Sequence, residues 1–285
     1  MKKFAIVGIG LIGGSMAIAL RGFKDFRIVG ADISAESVEY AKAHGVGDEA
    51  TADISAAIKD ADVVMLGMDP QGIVDFLQEH KDEFKPGCLV TDVCGVKEAI
   101  MKAAECLPEG VDFIGCHPMA GTEFSGVQNA FGEMFKSSHL LITPREGNTE
   151  EHLNLMEELG EYIGCRDVVR TDPREHDRLL AYTSQMMHII ALSICDDDEL
   201  FICKGYEGTS FRGATRVAAL DVPLWTQLFS LNLPALTEFL DNLIENLTSY
   251  REELSKGDPA SLAVKIAKSA DRKRAVDLPG PDLLH

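Results

Sequence analysis

The chain opens with a group of residues whose spacing suggests chemistry: Gly8-Ile9-Gly10-Leu11-Ile12-Gly13, a G-x-G-x-x-G loop. Between a strand and a helix, such a loop turns backbone N–H groups and a helix N-terminus toward a pyrophosphate. Gly8 permits the tight turn, Gly10 lets backbone approach the ligand, and Gly13 lets helix pack on strand. Leu11 and Ile12 complete the cofactor loop. Asp32 lies 19 residues past Gly13 at the end of the next apolar run. A carboxylate there accepts from a ribose 2′-hydroxyl and repels a 2′-phosphate. No basic residue follows it closely, so the pattern predicts NAD rather than NADP. The bland alternative is a glycine-rich turn that holds nothing.

A second group is His117-Pro118-Met119-Ala120-Gly121-Thr122-Glu123, directly after an apolar run. In an open α/β sheet this places His117 at the carboxyl end of a strand, where ligands bind. A neutral histidine beside a hydride acceptor can take a hydroxyl proton as the hydride leaves. Lone histidines are more often structural, so local residues leave His117 divided between the two roles. Cys116 beside it fits no common metal-ligand spacing, and no metal site is expected.

The second half adds His176-Asp177 and Thr183-Ser184-Gln185-Met186-Met187-His188. On a regular helix Asp177, Ser184 and His188 share one face, a polar stripe that could line a cavity. A hydrated seam between helices explains the stripe equally well. Further on, Arg212 and Arg216 stand four apart with few acids nearby. Paired guanidinium groups suit a carboxylate ligand, although most arginines end in surface ion pairs.

These residues require particular elements around them. Strands are expected over Phe4–Val7, Arg27–Ala31, Asp62–Gly67, Leu89–Val93, Asp112–Cys116 and His139–Thr143. Helices are expected over Leu11–Arg21, Ala35–His44, Gln71–Glu79 and Lys97–Cys106. This alternation predicts a parallel α/β sheet covered on both faces. Strand signals fade near Thr171, and apolar residues then recur at helical spacing from Trp225 to Tyr250, broken near Asn232 and Pro234. The division is therefore 1–171, a nucleotide-binding α/β domain, and 172–285, an all-α domain. So long an apolar stripe predicts a homodimer through the C-terminal helices, with a purely internal core as the alternative. The last fifteen residues, DRKRAVDLPGPDLLH, read as a loose tail.

Composition narrows the classes further. With 285 residues, 46% of them hydrophobic, the chain can bury a substantial core. A net charge of −19 with no basic stripe argues against a nucleic-acid or membrane partner. Seven cysteines, scattered and without a C-x-x-C pair, fit a reducing, cytoplasmic setting. Met1-Lys2-Lys3 followed by an apolar run has the outline of a secretion signal. The ordered glycines and the lack of a clear cleavage site argue against one.

Taken in order, GIGLIGGS, TDVCGVK at 91–97, CHPMAGTE at 116–123, HD…TSQMMH at 176–188 and FRGATRVAALDVPLW at 211–225 make the chain resemble the prephenate dehydrogenase family. The likeness runs from about residue 3 to 255. It implies an N-terminal Rossmann-like domain and a helical C-terminal dimerisation domain. It also implies NAD-dependent oxidative decarboxylation of prephenate to 4-hydroxyphenylpyruvate. By the same resemblance His117 is the catalytic histidine and Arg216 binds a substrate carboxylate. His188 is a second active-site histidine, Asp177, Ser184 and Glu123 are supporting polar positions, and Trp225 lies near the pocket.

Two departures stand out. Many members carry a serine, contacting the catalytic histidine, where this chain has Gly95; Cys94, a water or another group would have to replace it. Many also read S-H-L-P-H where this chain has Ser184-Gln185-Met186-Met187-His188. Two other readings remain: arogenate dehydrogenase, and a catalytically silent NAD-binding regulatory protein.

Overall fold

A computed structural model describes residues 1–277. The chain begins with β1 (Lys2–Val7), α1 (Leu11–Ala19), β2 (Phe26–Ala31), α2 (Ala35–His44), the short β3 (Glu49–Thr51) and α3 (Ile54–Ile58). It continues through β4 (Val63–Leu66), α4 (Pro70–His80), β5 (Leu89–Asp92), α5 (Glu98–Ala103) and β6 (Asp112–Pro118). Next come β7 (His139–Thr143), α6 (Glu150–Tyr162) and β8 (Asp167–Arg170). Among the described residues the sheet order is β3-β2-β1-β4-β5-β6-β7-β8. Its first six strands follow the doubly wound order of dinucleotide-binding sheets, with the crossover reversing between β1 and β4.

The expected elements are present, with ends shifted by a few residues. Asp69 caps α4 by accepting from Gly72 N at 3.1 Å, and Pro70 pre-sets its first turn. Gly45 ends α2 in the left-handed region at φ +66°. The central strands are buried on both faces. Phe4 and Ile6 pack with Met16 of α1, Leu20 at its C-terminal cap, and Met156 and Leu159 of α6. Ala5 and Val7 pack on the opposite face with Ile58, Ile73, Leu77 and Ile100.

The sheet departs from the all-parallel expectation at one junction. β7 pairs antiparallel with β6, His117 lying opposite Leu141. A parallel return needs a crossover helix. The 119–138 connection holds only short 3₁₀ turns at Val127–Asn129 and Gly132–Phe135, so the chain turns back alongside β6. β3, α3, α6 and β8 are additional to the expected elements.

The helical half holds α7 (Pro173–Leu180), α8 (Met186–Cys195), α9 (Thr209–Thr215), α10 (Val222–Ser230), α11 (Leu233–Ser255) and α12 (Pro259–Asp277). A π-turn at Ala181–Gln185 joins α7 to α8. The expected loose tail over 271–285 needs correction: residues 271–277 belong to α12, and the remainder lies outside the described residues. The chain forms two compact units, Met1–Leu236 and the segment from Thr237 onward. The first unit contains the whole sheet and every candidate site residue. In the second, Tyr250 Oη and Ser269 Oγ lie 2.8 Å apart, tying α11 to α12. No described helix is long and apolar enough to cross a membrane.

Candidate active site

The glycine loop leaves β1 at Gly8, whose φ is +86° and whose added Cβ would lie 2.8 Å from Gly67 backbone. A Cβ on Gly13 would fall 2.0 Å from Gly8 O, so helix and strand touch there through backbone alone. Gly10 differs: an added Cβ would meet nothing within 4 Å. Protein packing does not require glycine at that point, and the open space suits a ligand. Gly10 N-caps α1 without a side-chain hydrogen bond, leaving first-turn N–H groups for an anion. Asp32 Oδ2 accepts from Ile9 N at 3.0 Å, and Oδ1 accepts from Ser34 N at 2.8 Å. The carboxylate is thereby held beside the loop. This cradle fits a dinucleotide: loop for the diphosphate, Asp32 for a ribose.

His117 lies near the end of β6, partly buried. The segment following it returns to the glycine loop: a Cβ on Gly121 would lie 4.0 Å from Ile12 Cδ1. Behind His117 is a chain of polar contacts. His117 Nδ1 is 3.0 Å from His176 Nε2. His176 Nδ1 is 2.7 Å from Asp177 Oδ1. Asp177 also accepts from Lys97 N at 2.7 Å and Glu98 N at 2.9 Å, where α5 begins. Burial, with the neighbouring His176 and Lys97, holds His117 well below the ordinary histidine range. Burial also lowers His176, against the opposing pull of Asp177. Both rings therefore stay neutral near pH 7.

Below these rings is a fully buried ion pair. The Lys97 ammonium contacts Asp92 Oδ2. Asp92 further accepts from Cys94 N at 2.8 Å and Cys116 N at 3.2 Å, fastening the ends of β5 and β6 together.

The other predicted residues gather on the helical side. Arg216 Nη1 lies 3.1 Å from Glu123 Oε2, joining the segment after β6 to the arginine segment. His188 Nδ1 donates to Val217 O at 2.9 Å, and its ring centroid is 3.6 Å from that of Trp225. Burial lowers the His188 pKa, and Arg216 adds to this against the Val217 carbonyl. On α10, Trp225 faces His188 while Leu228 approaches Gly95, where an added Cβ would lie 3.4 Å from Leu228 Cδ2 and 3.9 Å from His117 Cε1. α10 thus connects the two histidine groups.

The expected stripe of Asp177, Ser184 and His188 does not form one face. The π-turn inserts an extra residue and turns the later helix by about 100°. Asp177 is buried and directed at α5, Ser184 lies partly buried in the π-turn, and His188 faces Trp225 and Val217. Gln185 is buried and bonds Asn232 Nδ2 at 2.8 Å, an interhelical tie. Arg212, the other member of the arginine pair, is exposed on α9.

Cys94 packs in the apolar cluster with Ile73 and Val96, and burial pushes its thiol up to about 11. The side chain recorded in contact with the His117 ring nitrogen is that of His176. Sequence reading missed His176 as a partner of His117, and missed Lys97 and Asp92. The adjacent His176-Asp177 pair was the one available signal.

Comparison with known proteins bears on what such a site does. Residues 16–169 match the family model described as prephenate dehydrogenase, nucleotide-binding domain, and residues 172–268 match prephenate dehydrogenase, dimerization domain. A cyclohexadienyl dehydrogenase of Zymomonas mobilis is 31% identical over 283 residues, covering 96% of this chain and 96% of that protein. The crystal structure of prephenate dehydrogenase from A. aeolicus in complex with hydroxyphenyl propionate and NAD+ superposes with a TM-score of 0.85 at 26% identity, over 97% of this chain and 98% of the other. Synechocystis arogenate dehydrogenase gives a TM-score of 0.79 at 27% identity, over 96% and 99%.

Proposed function

The chain belongs to the prephenate dehydrogenase family, and on that premise we propose that it converts prephenate, with NAD, to 4-hydroxyphenylpyruvate, CO2 and NADH. The observation that carries this reading is His117, a neutral histidine at the carboxyl end of β6, next to the segment that returns to the glycine loop.

Gly8, Gly10, Gly13 and the intervening Leu11 and Ile12 would hold the diphosphate of NAD, and Asp32 would hold a ribose. When bound there, NAD supplies a hydride acceptor. Prephenate is a cyclohexadienol with two carboxylates. His117 takes the proton of the ring hydroxyl as the carbinol carbon gives up its hydride. The ring carboxylate leaves as CO2, its bonding electrons complete the aromatic ring, and the proton held on His117 returns to the phenolate oxygen. Rearomatisation drives the reaction, so alignment matters more than base strength. Arg216 neutralises a substrate carboxylate, and Glu123, its ion-pair partner, releases it on binding. His188, Ser184 and Trp225 complete the substrate side, and Asp177 acts from behind through His176.

In this reading residues 1–171 serve the cofactor, and 172–285 serve the substrate and the dimer. Exposed apolar residues of α11, among them Ile244, Leu247 and Leu254, support burial against a second copy. We place the enzyme in the cytoplasm, because its seven cysteines are all free.

The test follows NADH absorbance with prephenate and NAD, running arogenate and NADP in parallel. Similarity to arogenate dehydrogenase makes arogenate the second reading, and it prevails if its kcat/KM is the higher. NAD binding without turnover of either substrate supports the silent regulatory reading. His117→Asn should lower kcat by roughly 10²–10⁴-fold with KM little changed. A loss under about threefold removes His117 from the role of base.

A further inference from the structure

We infer that His176 is a positioning residue that fixes the tautomer of His117, so that Nδ1 carries the hydrogen and Nε2 presents the lone pair to the substrate. The inference rests on the reading of His117 as the proton acceptor and deepens it.

The argument is a count of hydrogens along one line of contacts. Asp177 receives backbone N–H groups from Lys97 on Oδ1 and from Glu98 on Oδ2. A carboxylate engaged in this way can only accept, so the His176 Nδ1 at 2.7 Å must be an N–H. A neutral imidazole carries one N–H, which leaves a lone pair on His176 Nε2. That nitrogen is 3.0 Å from His117 Nδ1, and two lone pairs do not face each other at that distance. His117 Nδ1 is therefore the donor, and its only remaining lone pair is on Nε2. A proton from the substrate hydroxyl can be accepted at that atom alone. With the opposite tautomer, Nε2 would already carry a hydrogen and the base would be absent.

The contact also bears on the departure at Gly95. This chain has no side chain there to steady the His117 ring, although an added Cβ would lie 3.9 Å from His117 Cε1. The ring is held from its other edge. Asp177 is in turn positioned by the first backbone N–H groups of α5, so the tautomer of a histidine on β6 is set through α7 by the start of a third element.

The tautomer can be read directly from 15N chemical shifts of histidine-labelled protein near pH 8, with the His117 signals identified by their loss in His117→Asn. The expected result is a pyrrole-type Nδ1 and a pyridine-type Nε2 for His117. A pyridine-type Nδ1 overturns the inference, even in a fully active enzyme. The expected pattern upholds it even if neither prephenate nor arogenate is turned over, so this measurement separates the inference from the functional reading. The kinetic counterpart uses two variants. His176→Phe removes the acceptor and should lower kcat by roughly 10²–10³-fold, with KM and NAD affinity within about threefold. His176→Gln can place an amide oxygen near the former Nε2 and should recover kcat to within about tenfold of the parent enzyme. Equal loss in both variants overturns the inference. If His176→Phe fails to fold, the 15N pattern and the His176→Gln rate still decide it.

Discussion

Replacing Lys97 with Met leaves the Asp92 carboxylate buried without its counter-charge. Both side chains are fully inaccessible, and the replacement has nearly the same length, so the loss is one of charge rather than volume. Two backbone donors remain on Asp92, from Cys94 at 2.8 Å and Cys116 at 3.2 Å. They satisfy its geometry but supply no full positive charge. Breaking a buried pair from one side costs about 3–5 kcal/mol. At roughly 2–4 °C per kcal/mol for chains near this size, Tm should fall by about 6–20 °C. Urea unfolding of the parent, Lys97→Met, Asp92→Asn and the double variant gives the coupling directly. Asn at position 92 can still accept from Cys94 or Cys116, so the double variant should be more stable than Lys97→Met alone. A loss under about 1 kcal/mol in Lys97→Met, or a double variant no better than the single, would refute the reasoning. Activity provides a second check. Lys97 helps to depress His117, so its loss should move the acid limb of kcat/KM upward.

The remaining predictions concern other parts of the site. Arg216→Ala should raise KM roughly 10–150-fold, the loss of a charge-assisted bond of about 1.5–3 kcal/mol, and leave kcat nearly unchanged; a kcat effect at constant KM contradicts it. Gly10→Ala should weaken NAD binding in calorimetry without lowering Tm, because its Cβ meets no protein atom within 4 Å and enters the space proposed for the diphosphate. Gly13→Ala should lower both, since its Cβ meets Gly8 O at 2.0 Å. His117, His176 and His188 are all depressed, chiefly by burial. In the unfolded chain they protonate near pH 6.5, so the stability from burying them neutral is complete above about that pH and is lost as pH falls. Urea midpoints at pH 8 and 5.5 should show the decline, while equal midpoints would contradict it.

Local patterns carried much of the fold. β1, the glycine loop, α1 and β2 were legible because strand period, helix period and turn chemistry are properties of neighbouring residues. α2 matches its expected span, where Ser34 caps one end and Gly45 closes the other. Short β3 and α3 offered too few residues for a period to show. The pairing direction of β7 depends on the path of the 119–138 connection, which has no helical signature to read. The π-turn at Ala181–Gln185 is equally invisible in a sequence that continues to look helical, and it dispersed the predicted stripe.

By itself the sequence determined the doubly wound half, the glycine loop with Asp32, the helical half, and the residue types available for proton transfer and carboxylate binding. Only the tertiary structure decided which of these meet. His117 and His176 are 59 positions apart, Lys97 and Asp177 are 80, and Arg216 and Glu123 are 93. No local periodicity constrains such pairs; they come together when α5, α7 and α10 pack around the ends of β5 and β6. That packing also removes water, which lowers the histidine pKa values and makes a single hydrogen's position on one ring matter. The sequence supplied the histidines, and the burial and partners that hold His117 neutral arise from the packing of distant segments.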